Sequence, residues 1–405
     1  MSAAGGRDLL GESGGPSTGL DPEGPRRFAF VYDAVYPWVK GGAERRYYEL
    51  ARALAAQGHD VHWYGMRYWP GPNTRRIEGI LYHGVCRPRP LYTRSGRRSI
   101  SQAVIFGVGC LRLIVSGGLS GCQVVDCCGF PFFSLFSVRL ATFIRRRLMV
   151  VTCHEVWGAR YWDEYLGPAG RLGALVERAA LRGPSRIISV SEHTRRRLAT
   201  EIGAPGAVTV VPNGVDVALI DRVAPGERTV DVLYVGRLCD FKNVDLLLGA
   251  LVRLRESFPA LRCDVVGDGP ERARLERLAA SLGLREHVQF AGFLDDGDEV
   301  YARMKAARVL VVPSQREGFG MVVLEANAAG IPVIVADYPA NAAKDLIGRH
   351  NGAVVAPDPE SLAVAVETFL RTGADEQRER CRAVAKDHDW AAVARRWEAA
   401  VSWAG

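Results

Sequence analysis

Two doubly wound α/β domains in tandem are the fold class that this 405-residue sequence predicts. Three observations carry the prediction. Short apolar, β-prone runs alternate with stretches of helical spacing along the chain. Glycine-containing turns follow several of the runs and open the next helix. The alternation stops once, at a polar stretch over 215–229, and then begins again. Short buried strands alternating with helices imply parallel sheets covered on both faces, and the length suffices for two domains of ordinary size.

Residues 28–32 read as the first strand, 43–57 as a helix stopped by Gly58, and 61–64 as the next strand; with the Lys40-Gly41-Gly42 turn they make one βαβ unit. Residues 124–125, 149–151, 187–190 and 208–211 continue the strands, with a helix over 192–200 capped by Ser191. In the second half, strands are predicted at 232–235, 263–266, 288–290, 309–312 and 332–335. Helices are predicted at 244–258, 270–282, 299–306, 319–329 and 341–347. The most apolar stretch, 104–119, is broken by Arg112 and several glycines and is too short to span a bilayer. It is read as a buried helix in preference to one lying flat on a membrane.

The resulting division is a disordered leader over 1–26, a first domain over 27–214, a linker over 215–229 and a second domain over 230–386. A C-terminal segment follows over 387–405. The leader is rich in Gly, Ser and Pro and lacks the apolar core of a signal peptide.

Charge is unevenly spread. Residues 1–215 hold 28 basic and 16 acidic residues, a net of +12, while 216–405 hold 24 and 29, a net of −5. A basic front half suits an anionic partner such as a membrane surface or a phosphorylated acceptor, or reflects an arginine-rich composition. Nucleic acid is not expected, because no binding module is recognisable. Nine cysteines, an odd number, argue against a closed disulfide framework and for a reducing, cytoplasmic setting. Cys122, Cys127 and Cys128 lack a second pair at zinc-ligand spacing and are read as buried apolar residues.

In doubly wound sheets ligands bind at the carboxyl ends of strands, near helix N-termini. The distinctive residues of this chain fall there. Glu317 follows a strand in PSQREGFG, and the backbone N–H groups of residues 318–322 open a helix on which Glu325 lies about two turns further on. Two such carboxylates suit the hydroxyls of a sugar; singly, each could be an ordinary surface charge. Gly236-Arg237 and Lys242 follow the first strand of the second half, where the two cations could neutralise a diphosphate or be plain surface bases. Gly267-Asp268-Gly269-Pro270 and Gly41-Gly42-Ala43-Glu44 are weaker strand-to-helix turns through which a ligand could approach the backbone. His154, just past a strand, is a candidate to hydrogen-bond a sugar hydroxyl or to steady charge near a reacting carbon. The acidic run 295–298 is read as a helix cap and not as a magnesium site.

In GGAER, VVPNGVD, VGRLCDFKN, VVGDGP, PSQREGFG and EGFGMVVLE, in this order along the chain, the sequence resembles glycosyltransferase family 4 of the GT-B superfamily from residue 28 to the end. The resemblance implies two Rossmann-like domains facing each other across a cleft, with a nucleoside-diphosphate sugar held mainly by the second. Arg237 and Lys242 would bind the diphosphate, Glu317 with the amides of Gly318, Phe319 and Gly320 the sugar, and Glu325 the ribose. The amides of Met321, Val322 and Val323 would help with phosphate. Gly267, Phe293 and Leu294 would lie near the base, and Gly41 and Gly42 near the phosphates. Gly236 belongs to the same donor-binding loop. His154 would face the sugar from the first domain. Such enzymes retain anomeric configuration and need no catalytic metal or cofactor; the final helix, 390–401, crosses back onto the first domain. The implied reaction moves a hexose-type sugar to a hydroxylated acceptor in polysaccharide or glycolipid assembly. A small natural product is the alternative acceptor. A non-catalytic sugar-nucleotide binder and a glycosidase using Glu317 and Glu325 as its carboxylate pair are the alternatives from other classes.

Overall fold

The computed structural model describes residues 24–93, 98–183, 186–204, 208–227, 229–372 and 374–402; the expected leader lies outside them up to residue 23. Strands β1 (Arg27–Val31), β2 (Asp60–Met66), β3 (Thr74–Ile77), β4 (Ile80–Cys86), β5 (Val124–Cys128), β6 (Leu148–Cys153), β7 (Arg186–Ser189) and β8 (Val208–Val210) form one sheet. Its order is β3-β4-β2-β1-β5-β6-β7-β8, parallel throughout except for β3 against β4. That hairpin is absent from the sequence reading because β3 is polar and mostly exposed. Its signal is the Glu78-Gly79 turn, both residues at positive φ, as a two-residue hairpin loop requires.

The first sheet is covered by α1 (Gly42–Ala56) on one face and by α2 (Ile100–Cys110), α3 (Arg112–Val115), α4 (Phe132–Arg145), α5 (Gly158–Leu166) and α6 (Gly170–Leu181) on the other. Strand β1 shows how the sequence sets this up. Phe28 and Phe30 point into the cluster holding Tyr47, Leu50 and Leu54 of α1; Ala29 and Val31 point into the cluster holding Phe106, Leu135 and Val138. This is the period-two alternation of a strand buried on both faces. A short α7 (Glu192–Arg197), capped by Ser191, follows β7. The stretch read as one buried helix is α2 and α3, broken at Leu111, and it is buried on one side only: Val108 is 61% and Val115 81% exposed.

The second sheet contains β9 (Val230–Val235), β10 (Cys263–Val266), β11 (Val288–Gly292), β12 (Ala307–Val312), β14 (Val333–Ala336) and β16 (Gly352–Val355), all parallel, in the order β11-β10-β9-β12-β14-β16. A two-strand pair, β13 (Arg316–Glu317) with β15 (Ala340–Asn341), stands apart from it. Helices α9 (Val244–Ser257), α10 (Arg272–Ser281), α11 (Gly297–Ala306), α12 (Met321–Ala328), α13 (Pro359–Arg371) and α14 (Ala374–Lys386) surround it. The run read as a linker holds α8 (Val217–Arg222). Asp216 caps it, and Val217 and Ile220, three residues apart, bury into the second core. Residues 342–346 form a 3₁₀ turn in place of the predicted α-helix, because the buried Asn341 side chain bonds Ser314 O and Ala336 O, pinning the chain as it enters. Asp296 caps α11, as the acidic run suggested.

Helix α15 (Trp390–Val401) packs its buried face, Trp390, Val393, Ala394, Trp397 and Val401, into the α1 side of the first domain. Trp397 Nε1 donates to Asp126 Oδ2 at 2.9 Å. Tyr47 and Thr152 hydroxyls also donate to Asp126, at 3.0 and 2.8 Å, and burial pushes this carboxyl up to about 6. The two crossings between domains touch: Val215 N–H donates to His388 O at 2.8 Å, and a Cβ on Gly214 would stand 2.6 Å from the Trp390 ring. Trp397→Ala is expected to cost about 3–5 kcal/mol of stability in urea unfolding, by the cavity it leaves and the donor Asp126 loses. Arg395→Ala, on the exposed side of the same helix, should stay within about 0.5 kcal/mol.

Candidate active site

The start of α1 and the carboxyl ends of β6, β7 and β8 from one domain, and the carboxyl ends of β9 and β12 with the start of α12 from the other, line a common cleft of about 320 Å³. Of the residues singled out in the sequence, it brings together Gly42, His154, Gly236, Lys242, Glu317, Gly318, Phe319, Gly320, Met321 and Val322.

On the second domain, the chain leaves β12 at Val312 and is pinned twice: Gln315 N–H donates to Phe241 O at 2.8 Å, and β13 pairs Glu317 with Asn341. Glu317 therefore sits in a short strand. A 3₁₀ turn, Asp240–Lys242, carries Lys242 back to it, and Lys242 Nζ meets Glu317 Oε1 at 2.5 Å, with side chains 17% and 16% exposed. Gly320, at φ +91°, is the N-cap of α12; a Cβ there would stand 2.5 Å from that of Ala343. The helix thus begins two residues later than Phe319, and Glu325 lies a little over one turn into it. Met321 and Val322 supply the first amides, which by position have no partner within the helix. The Val323 amide is engaged with Gly320 O at 2.9 Å, and its side chain is buried in the core.

The first domain closes on this loop at backbone range. A Cβ on Gly318 would stand 2.5 Å from His154 O, and Ser191 Oγ donates to Gly318 O at 3.1 Å. Gly42 faces Met321 Sδ in the same way, 3.4 Å from where a Cβ would stand. Behind His154 lies Arg46, buried, donating to Pro212 O at 2.6 Å and to Asn213 Oδ1 at 2.9 Å. Burial and the Arg46 guanidinium push the His154 imidazole down to about 3. Its Nε2 is buried and has no protein partner among the described residues. A neutral ring with an unpaired nitrogen at a cleft wall is equipped to exchange a hydrogen bond with a ligand, not to present a charge.

Two of the anticipated charges meet the opposite domain. Glu325 Oε1 is held by Arg45 Nη1 of α1 at 2.9 Å, and Arg45 lies 5.8 Å from the centroid of the Tyr301 ring. Arg237 is exposed, its guanidinium 5.2 Å from the centre of the Tyr92 ring. Gly41, Arg237, Gly267, Phe293, Leu294, Val323 and Glu325 do not line the cleft. Gly267 lies beneath Gly236: its φ is +135°, and a Cβ would stand 1.9 Å from Gly236 O. Phe293 is 61% exposed, and Leu294 packs partly on the second core. Sequence reasoning did not single out Arg45, Arg46, Tyr92 or the cleft-lining Asn213. Arg45 and Asn213 fall inside blocks it quoted, GGAER and VVPNGVD, but nothing in a single sequence shows which side chain crosses to the other domain.

Residues 40–219 match the family described as Glycosyltransferase Family 4, and residues 219–388 match Glycosyl transferases group 1. A glycogen synthase of Mycobacterium tuberculosis is 33% identical over 255 residues, 61% of this chain and 61% of that one. A GDP-mannose-dependent alpha-(1-6)-phosphatidylinositol monomannoside mannosyltransferase of Mycolicibacterium smegmatis is 34% identical over 224 residues, 50% of this chain and 56% of that one. The matched part therefore spans 56–61% of the length of these curated relatives. Among solved structures, sucrose-phosphate synthase from Thermosynechococcus elongatus has a TM-score of 0.71 at 21% identity, covering 92% of this chain and 98% of its own. Anabaena HepE in complex with UDP and glucose has a TM-score of 0.68 at 20% identity over the same shares. The fold they have in common with this chain is GT-B.

Two outcomes follow from the geometry. In an NMR titration, the His154 ring resonance should stay at its neutral position from pH 8 to pH 5. An unfolded histidine gains its proton near 6.5 and folded His154 does not, so this group draws stability down as pH falls below 6.5. Gly318→Ala, by driving a methyl into His154 O, should open the interdomain contact, visible as a larger radius of gyration in small-angle scattering with each domain's secondary structure kept.

Proposed function

The chain belongs to the GT4-type glycosyltransferases, and from that premise we propose that it transfers a hexose-type sugar from a nucleoside-diphosphate sugar to a hydroxyl acceptor, with retention of anomeric configuration. The observation that carries the reading is the Lys242–Glu317 pair beside the first amides of α12, in a cleft walled by both domains. As the sugar–phosphate bond breaks, negative charge grows on the leaving diphosphate. Lys242 and the Met321 and Val322 amides are fixed groups of the right sign to meet it, and fixed charge costs no reorganisation during the reaction; Arg237, exposed beside the cleft, is a further cation for it. Glu317 and the amides of Gly318 to Gly320 take the sugar hydroxyls. Glu325 takes the ribose, and sharing it with Arg45 ties donor binding to the relative placement of the domains.

Neutral His154 faces the sugar as a hydrogen-bonding group. The departing phosphate takes the acceptor proton on the same face of the sugar, so configuration is kept without a covalent enzyme intermediate. In this scheme protein cations do the work that a metal could otherwise do. The donor class is supported by the Anabaena HepE structures, described as complexes with UDP and with UDP-glucose. For the acceptor, we favour a glycan or glycolipid in polysaccharide or glycolipid assembly on the cytoplasmic side of a membrane. The mannosyltransferase relative, by its name, acts on a phosphatidylinositol monomannoside. A small natural product is the second reading, favoured by the 34% identity over 209 residues to a 2-deoxystreptamine glucosyltransferase of Streptomyces kanamyceticus.

A thermal-shift panel of UDP-, GDP- and dTDP-sugars should raise Tm for one nucleotide class, because a ligand that binds only the folded state stabilises it; no rise with any of them would sink the proposal. With the donor so identified, Lys242→Ala and Arg237→Ala should each lower kcat by about 10²-fold, and EDTA should leave turnover unchanged.

A further inference from the structure

Helix α2 has no charged residue and is apolar on two sides. Its inner side, Ala103, Phe106 and Cys110, is buried in the first domain. Its outer side is a second stripe. Ile100, Val104 and Val108, continued by Leu111 and by Val115 of α3, recur at helical spacing and are 39, 38, 61, 42 and 81% exposed. Helix α4, packed against α2 and α3, repeats the pattern: Leu135 and Val138 face inward, while Phe136, Leu140 and Phe143 face outward, the last 82% exposed. A surface helix ordinarily turns polar residues away from the core. Two neighbouring helices that do the opposite form an apolar face of the kind that other molecules cover.

The charge around the face says what covers it. Between residues 99 and 149 every charged residue is an arginine except Asp126, and Asp126 is buried in β5. Arg112 interrupts the stripe between α2 and α3, and Arg145, Arg146 and Arg147 close the end of α4. Arg112 also lines a recess of about 360 Å³ with Arg67 and Arg87, which shares no lining residue with the cleft. A two-fold contact between copies of this chain would bring two arginine-rich faces together with no exposed carboxylate between residues 99 and 149 to offset them. Anionic headgroups over an apolar interior match both the cations and the stripes. No described helix is long and apolar enough to cross a membrane, so the fit is to the plane of the surface.

We propose that this face docks the first domain onto an anionic lipid bilayer, with α2, α3 and α4 lying in the headgroup plane and Val108, Val115 and Phe143 inserted. The stripe begins near an interdomain contact: the Tyr92 ring that Arg237 meets also lies 5.6 Å from the Arg98 guanidinium. Helix α2 starts just after Arg98, whose guanidinium grips Asp33 at 3.0 Å beyond the end of β1. Docking in this way sets the cleft mouth beside the membrane, where an acceptor with a lipid anchor is found. The docking itself rests on the surface alone and does not depend on the donor chemistry.

The test is co-sedimentation of the full chain with vesicles of phosphatidylcholine alone and of phosphatidylcholine mixed with phosphatidylglycerol. The protein should pellet with the mixed vesicles, less so at high salt, and little with phosphatidylcholine. Val115→Asp combined with Phe143→Asp should weaken that partition by about tenfold or more at unchanged Tm. Arg146→Glu, at an exposed position and independent of the core, should weaken it by about tenfold. Wild-type protein that stays in the supernatant with the anionic vesicles would overturn the proposal, as would undiminished binding by either variant. A wild-type dimer in sedimentation velocity that the double variant dissolves would also overturn it, assigning the face to self-association.

Discussion

A cleft with walls from two separate sheets exists only if their strand ends can be brought to backbone distance, and here that depends on one residue without a side chain. Gly318 lies where a Cβ would reach within 2.5 Å of His154 O. Ser191, the cap of α7, reaches across to the Gly318 carbonyl. Everything that gives the site its character hangs from this contact. Glu317 precedes it, the amides of α12 follow it, and His154 is set opposite them. A larger side chain at 318 would separate the carboxylate and amides of one domain from the imidazole of the other without altering either domain internally.

The domains are joined by two kinds of contact with different physical consequences. Helix α15 is an apolar tie: Trp390, Trp397 and Val401 are buried in the first domain, and Trp397 also satisfies the buried Asp126. Burial of several large apolar side chains contributes a few kcal/mol, the stronger of the two ties. Across the cleft mouth the contacts are polar and partly exposed. They include Arg45 with Glu325, Lys40 with Asp295, Arg237 over Tyr92, and Arg316 between Tyr161 and Phe241. Partly exposed ion pairs contribute about 1 kcal/mol or less each. The architecture is thus a firm tie at the crossing chains and a softer clasp at the mouth, which suits the proposed site, where a nucleotide would enter and leave. Two of the clasp residues, Arg237 and Glu325, are also residues the proposed donor needs, so occupancy and closure draw on the same side chains.

The first domain carries a third demand. One face of its sheet is shared with α15, its strand ends make the cleft, and the outer side of α2, α3 and α4 is apolar and ringed by arginine. The net +12 of residues 1–215 is therefore not spread evenly: part of it frames an apolar surface, where it gives direction to whatever docks there.

Much of this was written in the chain itself. The alternation of short apolar runs with helical stretches determined two parallel sheets, because strands buried on both faces must be continuous in hydrophobicity and short. The blocks around Gly236, Lys242, Glu317 and Gly320 pointed to one place, and the fold gathers them in one cleft, because turns after strands need glycine and lie together at the carboxyl edge of the sheet. What depends on periodicity alone was misjudged: strand β3 of the first hairpin is polar, α8 hides in a polar run, and the apolar stretch after Ile100 reads alike whether its second face meets a core or solvent. Tertiary structure alone decided that Glu325 pairs with Arg45, that Val323 turns into the core, and that Gly267 supports Gly236 from below. A sequence records the composition of each face but not its neighbour, and each of these outcomes is fixed by a contact between residues far apart in the chain.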